Sequence, residues 1–188
     1  MKHGHGNIIA ALALGAVLSG GAAADDAFLK LSDIAGDSTD PQHPNEIALL
    51  SYSFGLEAES SWTRGGGASV GKPNPGDLRI TAAMDRSLAG MVRKITEGHN
   101  SPTAVLSVRS SAPGNRTGFE YIKYTFTNVY FTNVDQALAG NGRAVTGASM
   151  IYRSLQIEQF SPANGTRVSC VSWDIPTSTV EDCNAPSR

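Results

Sequence analysis

Histidine and cysteine are scarce here, four and two among 188 residues, and that scarcity narrows the chemistry available. The cysteines, Cys170 and Cys183, lie 13 positions apart, which excludes a CxxC redox or zinc motif. Basic excess is lacking too. Fifteen Lys and Arg face 17 Asp and Glu, so no nucleic-acid-binding surface is expected. Long apolar runs are missing except at the start, where Lys2, His3 and His5 precede IIAALALGAVLSGG. That run is shorter than the about 20 residues of a membrane span. AAA at 22–24, followed by Asp25 and Asp26, offers the small residues of a cleavage site. Residues 1–24 are therefore expected to be a secretory signal peptide cleaved near Ala24, giving a secreted or periplasmic protein with no membrane association after cleavage. In an oxidising compartment Cys170 and Cys183 are expected to pair as a disulfide, the alternative being two free thiols.

The rest is one domain's worth of chain, and most of it alternates. AFLKLSDIAG, EIALLSYSFGLE, GDLRITAAM, TAVLSVRS, GFEYIKYTFTNVYFTNV, GASMIYRSLQIEQF and TRVSCVSWDI read as β, rich in Val, Ile, Tyr, Phe and Thr and separated by Gly, Asn and Pro. In the third of these, Leu78, Ile80, Ala82 and Met84 share a face. In the fifth, Tyr121, Lys123, Thr125, Thr127, Val129 and Phe131 share one face, and Ile122, Tyr124, Phe126 and Tyr130 the other. A strand apolar on both faces is covered on both, by core, helix or a second subunit. PANG at 162–165 signals a hairpin turn. One segment, DRSLAGMVRKITEG, has helical period, with Leu88, Met91, Val92 and Ile95 on one side, Asp85 or Ser87 to cap its start and Gly98 its end. The expected fold is mainly β: an antiparallel β-barrel packed against a single α-helix.

Sites of known chemistry do not emerge. Gly66, Gly71 and Lys72 match the G-x-x-x-x-G-K phosphate loop, but Pro73 stands where a Ser or Thr must hold magnesium, and PNPG cannot start the required helix. A glycine-rich surface loop with Trp62 and Arg64 at its base is the better reading. Beyond the leader only His43 and His99 remain, far apart, and His99 falls just past the helix end, where it faces the dipole. Asp25–Asp26 and Glu181–Asp182 lie in terminal segments whose mobility defeats the fixed spacing of paired acid/base carboxylates. No serine is expected to occupy a nucleophile elbow. In GDSTDPQHPNEIALLSYSFGLE, Asp37, Asp40, His43 and Glu46 are scattered as metal ligands might be, but one His with loop carboxylates makes at best a weak, oxygen-rich site. No catalytic residue, cofactor or metal is expected.

GDSTDPQHPNEIALLSYSFG resembles the first strand-loop-strand unit of the hemolysin-coregulated (Hcp) proteins, the tube subunits of type VI secretion. The resemblance continues through GGGASVGK, ITAAMD, TEGH, AVLSVR, FEYIKYTFTNVYFTNV, SLQIEQFSP and WDI, and covers about residues 28–175. It implies an Hcp-like barrel domain over 25–175 with a tail at 176–188, and a non-enzymatic subunit that forms homo-hexameric rings, stacks them into a tube and carries effector proteins. The implied partners are copies of itself, secreted effectors and other type VI components. Carried over by position, Ser38, Asp40, His43 and Glu46 fall in the family's first extended loop, and Trp62, Arg64, Gly65, Gly66, Gly67 and Lys72 in its glycine-rich loop, both implicated at ring or inter-ring contacts.

The expected leader departs from that family, whose members leave through the secretion machine itself. The alternative is an exported periplasmic or secreted Hcp-like β-barrel binding module outside the tube. Two further readings stay open: a monomeric barrel with an apolar ligand in its interior, and a small hydrolase, for which no nucleophile, base and orienter are visible.

Overall fold

The computed structural model describes residues 25–63, 67–110, 118–140 and 142–183. The expected leader and the loop residues Arg64, Gly65 and Gly66 lie outside the described residues.

The alternating segments form strands. In chain order they are β1 (Asp26–Leu31), β2 (Ile47–Ser53), β3 (Leu56–Thr63), β4 (Gly67–Pro75), β5 (Leu78–Ala83), β6 (Ser101–Ser110), β7 (Phe119–Leu138), β8 (Ala144–Ile151), β9 (Ser154–Phe160), β10 (Arg167–Asp174) and β11 (Thr179–Glu181), with helix α1 (Ser87–Glu97) between β5 and β6. Six strands in the order β7-β6-β1-β2-β5-β8 close on themselves, because β8 pairs with both β5 and β7. The result is the expected antiparallel barrel. From β7 the sheet also runs outward through β9 and β10 to β11, while β3 and β4 pair only with each other.

The barrel interior is filled by its own side chains. Leu29, Ile47, Leu78, Leu106, Phe126, Val129 and Met150 are all buried to 1 % exposure or less. Such packing removes the ground for an apolar ligand inside the barrel. Helix α1 covers part of this core with a stripe of Ser87, Met91 and the part-buried Ile95, one residue every four. The helical face is thus rotated from the one read in sequence, and Val92 is exposed. The residue at the helix start is Arg86, which makes no side-chain cap; Asp85, just before it, accepts from the Ser87 N–H at 2.9 Å, and Gly98 ends the helix at φ 68°. Met84, past the end of β5, is exposed rather than continuing the Leu78, Ile80, Ala82 face.

Strand β7 departs from strict alternation twice, at Asn128 and at the register shift between Phe131 and Asn133, beyond which Val134 packs against the core. In its first half Phe126 is buried and Tyr124 packs on the core; beyond them Val129 and Phe131 are the buried ones. Asn128, at φ 48°, makes the switch. Asn tolerates this left-handed conformation better than most side chains. The kink lies just beyond the segment of β7 that pairs with β9 and just before the segment that pairs with β8, so one strand serves the outer sheet and closes the barrel.

Candidate functional site

The segment between β1 and β2 is pinned against the barrel. Three backbone hydrogen bonds, Gly36 N–H to Asn45 O at 2.8 Å, Asn45 N–H to Ser38 O at 2.9 Å and Ser38 N–H to Glu46 O at 3.0 Å, fold it on itself. Gly36 is required by closeness, since a Cβ there would lie 2.3 Å from the Glu46 carbonyl oxygen. Within the fold, Asp40 accepts from the Gln42 N–H at 2.9 Å.

This folded loop delivers its polar side chains inward. Arg109 of β6 donates to Asp40 through both terminal nitrogens, at 2.7 and 3.1 Å, and also to Gln42 Oε1 at 3.3 Å and Asp26 Oδ2 at 3.2 Å. The hydrogen bond from Arg109 holds the Asp40 carboxyl below its ordinary range, and Asp40 in turn raises the Arg109 guanidinium. Phe28 of β1 serves both halves of the cluster: Arg109 Cζ stands 5.2 Å from its ring centroid, and the His43 ring stacks on it at 4.3 Å. His43 Nδ1 is hydrogen-bonded to Glu46 Oε2 at 3.0 Å, while Nε2 lies 3.3 Å from Glu120 Oε1 without a hydrogen bond. Lys123 then pairs with Glu120 at 3.1 Å.

The structure therefore brings Asp40, His43 and Glu46 together, and buries His43 and Glu46 rather than displaying them. Ser38 is half-buried. With the ring of His43 engaged on three sides, the arrangement serves to hold the loop, and among the described residues no three His, Cys, Asp or Glu side chains form a metal-binding group. Phe28, Arg109 and Glu120 were not singled out in sequence. Arg109 carried a signal, because an arginine inside an otherwise buried strand needs acidic partners. His99 is exposed, as expected, with Nδ1 3.4 Å from Glu97 Oε2.

The glycine-rich segment is the far end of the β3–β4 hairpin. Trp62 and Gly67 sit in its paired backbone, in register with Ala68 and Thr63. Lys72 is exposed next to a register shift at which Gly71 passes the Glu59 backbone, its Cβ position 3.2 Å from Glu59 O. No helix follows β4, so the phosphate-loop geometry is not met. Gly67 to Gly71 also spells G-x-S-x-G. Ser69 lies within β4 opposite Ser61, not at the strand-to-helix turn of a nucleophile elbow.

At the other end of the chain the expected disulfide is present, Cys170 to Cys183 with Cα atoms 5.1 Å apart. Residues 176–183 do not hang free. They turn at Ser178 (φ 54°) and return as β11 along β10.

Comparison with known proteins agrees with this architecture. The family described as "Type VI secretion system effector, Hcp" matches residues 28–159, from β1 through β9. "Protein hcp1" of Pseudomonas aeruginosa is 30 % identical over 144 residues, covering 76 % of this chain and 88 % of that protein. Among solved structures, one titled "Structure of a type six secretion system protein" superposes with a TM-score of 0.75 at 25 % identity, covering 84 % of this chain and all of the other. Hcp1 from Salmonella typhimurium gives a TM-score of 0.70 at 25 % identity over 84 % of this chain and 99 % of its own.

Proposed function

The chain belongs to the Hcp family of type VI secretion proteins, and on that premise we propose that it is a non-enzymatic structural subunit of the secretion tube. Six copies close a ring, rings stack, and effector proteins travel in the lumen. The observation that carries this reading is the β3–β4 hairpin, a two-stranded sheet with no hydrogen-bonded partner in the nine-stranded sheet. An isolated two-stranded hairpin is marginal in water. Seated on a neighbouring copy, its two strands gain a further surface to pair with or pack on. The folded loop at 36–46 presents a fixed shape to such a neighbour through its exposed members, while His43 and Glu46 act from beneath.

Native mass spectrometry of residues 25–188 tests the proposal. A mass of six subunits is the expected result; a monomer at high concentration would overturn it. The disulfide favours a second reading, an exported Hcp-like module acting outside the tube, since a Cys pair of this kind persists in oxidising compartments. That module would be monomeric, and deleting its gene would leave type VI effector export unchanged.

A further inference from the structure

The last strand is short and is tied at its end by a covalent bond. β11 has three residues, all exposed, in register with Ser172, Trp173 and Asp174 of β10. Its one apolar side chain, Val180, is 63 % exposed. Beyond the strand pairing, Arg167 Nη2 donates to the Cys183 carbonyl at 3.0 Å, and Asp174 Oδ1 accepts from the Thr177 N–H and hydroxyl at 3.1 and 2.8 Å to close the turn. So short an element buries too little to stay docked by itself.

What it covers matters more than its size. Val180 stands directly opposite Trp173, and directly opposed residues of antiparallel strands share a face. With Leu155, Ile157 and Val171 they line an apolar groove of about 200 Å³ whose other wall is Leu56 and Pro73, at the base of the projecting hairpin. β11 also occupies the free edge of the sheet at β10. An uncovered edge beside an apolar groove is a template for pairing with another chain.

We propose that the Cys170–Cys183 disulfide is a redox latch on this cover. Oxidised, it holds β11 over Trp173 and the β10 edge; reduced, it lets residues 176–183 swing away and opens both. Cys170 is buried and Cys183 only part-buried, so attack falls on the Cys183 side of the bond. A thiolate of a dithiol reductant attacks it, forming a mixed disulfide at Cys183 and expelling Cys170 as a thiolate. The reductant's second thiolate then closes its own disulfide and displaces Cys183. Two electrons pass to the cysteines, and the two protons lost by the reductant's thiols end on Cys170 and Cys183. The rest of the fold does not need the latch, because β10 stays paired with β9, and the barrel lies beyond β9. The inference does not depend on ring assembly.

The test compares the oxidised protein, the dithiothreitol-reduced protein and the Cys183→Ser variant by amide hydrogen exchange, with two free thiols confirmed by mass after reduction. Trp173 is read by acrylamide quenching in a Trp62→Phe background. In both latch-free forms the β11 amides should exchange about tenfold faster or more, Trp173 should become more accessible, and β6 amides should be unchanged. Unaltered β11 exchange with the bond broken would overturn the latch. So would equal loss of protection in β6, which would make the bridge a staple for the whole domain.

Discussion

Arg109 and Asp40 meet guanidinium to carboxylate, with both terminal nitrogens engaged at 2.7 and 3.1 Å, across the junction between a barrel strand and the loop that precedes β2. Arg109→Ala leaves Asp40 part-buried without its partner and removes the cation from the face of Phe28. A loss of about 3 kcal/mol in urea unfolding is expected. Arg109→Lys should recover only part of it, because an ammonium cannot make the paired contact. A loss below about 1 kcal/mol for the alanine variant would mean that the loop is held by its backbone bonds alone.

The same pair sets an acid limit. Asp40 ionises below its ordinary value of 3.8 because Arg109 hydrogen-bonds its charged form. A depressed folded value means that the ionised carboxylate contributes stability fully present above the unfolded value of about 3.9, and lost as pH falls through the folded one. Asp40→Asn should therefore be less stable than the wild type at about pH 6, with the difference shrinking toward pH 2. Parallel stability curves across that range would remove Asp40 as the titrating group.

Gly36→Ala probes the backbone side of the loop. Its Cβ would stand 2.3 Å from the Glu46 carbonyl oxygen and 2.7 Å from the Ile47 nitrogen, so backbone must move at the entry to β2. A cost of about 1–3 kcal/mol is expected, along with faster amide exchange at Ser38 and Asn45, whose N–H groups close the fold. A neutral variant would show that the loop shifts freely.

Replacing residues 59–72 by an Asn-Gly turn tests the hairpin. Ala58 and Pro73 are register partners, so a two-residue turn can join them without disturbing the base. The thermal midpoint of the monomer should stay within a few degrees of the parent, while the six-subunit mass is lost. Rings that persist without the hairpin would place the subunit contact elsewhere.

The strands and the helix were legible because period two and period 3.6 survive in the letters, and the Cys170–Cys183 pair because the chain offers no other cysteine. The parity switch in β7 was not. Asn128 carries no signal of its own until the first half of β7 pairs with β9 and the second half with β8. The loop at 36–46 was legible as a segment of interest but not as a buried one. The partners of His43 and Asp40 are Phe28, Arg109 and Glu120, and only the fold sets these beside the loop. The closing strand β11 escaped for another reason: TVE carries too little pattern to register at three residues.

The double pairing of β8 also orders events in time. A ring of strands stays open until its last member arrives, and here that member is Ala144–Ile151, the strand joining β5 to β7. A nascent chain that ends before it can form hairpins but no enclosed core, and β1 must wait for β6 across most of the first hundred residues. Such distant pairing folds slowly. The barrel therefore cannot close until Ala144–Ile151 is available to pair with both β5 and β7.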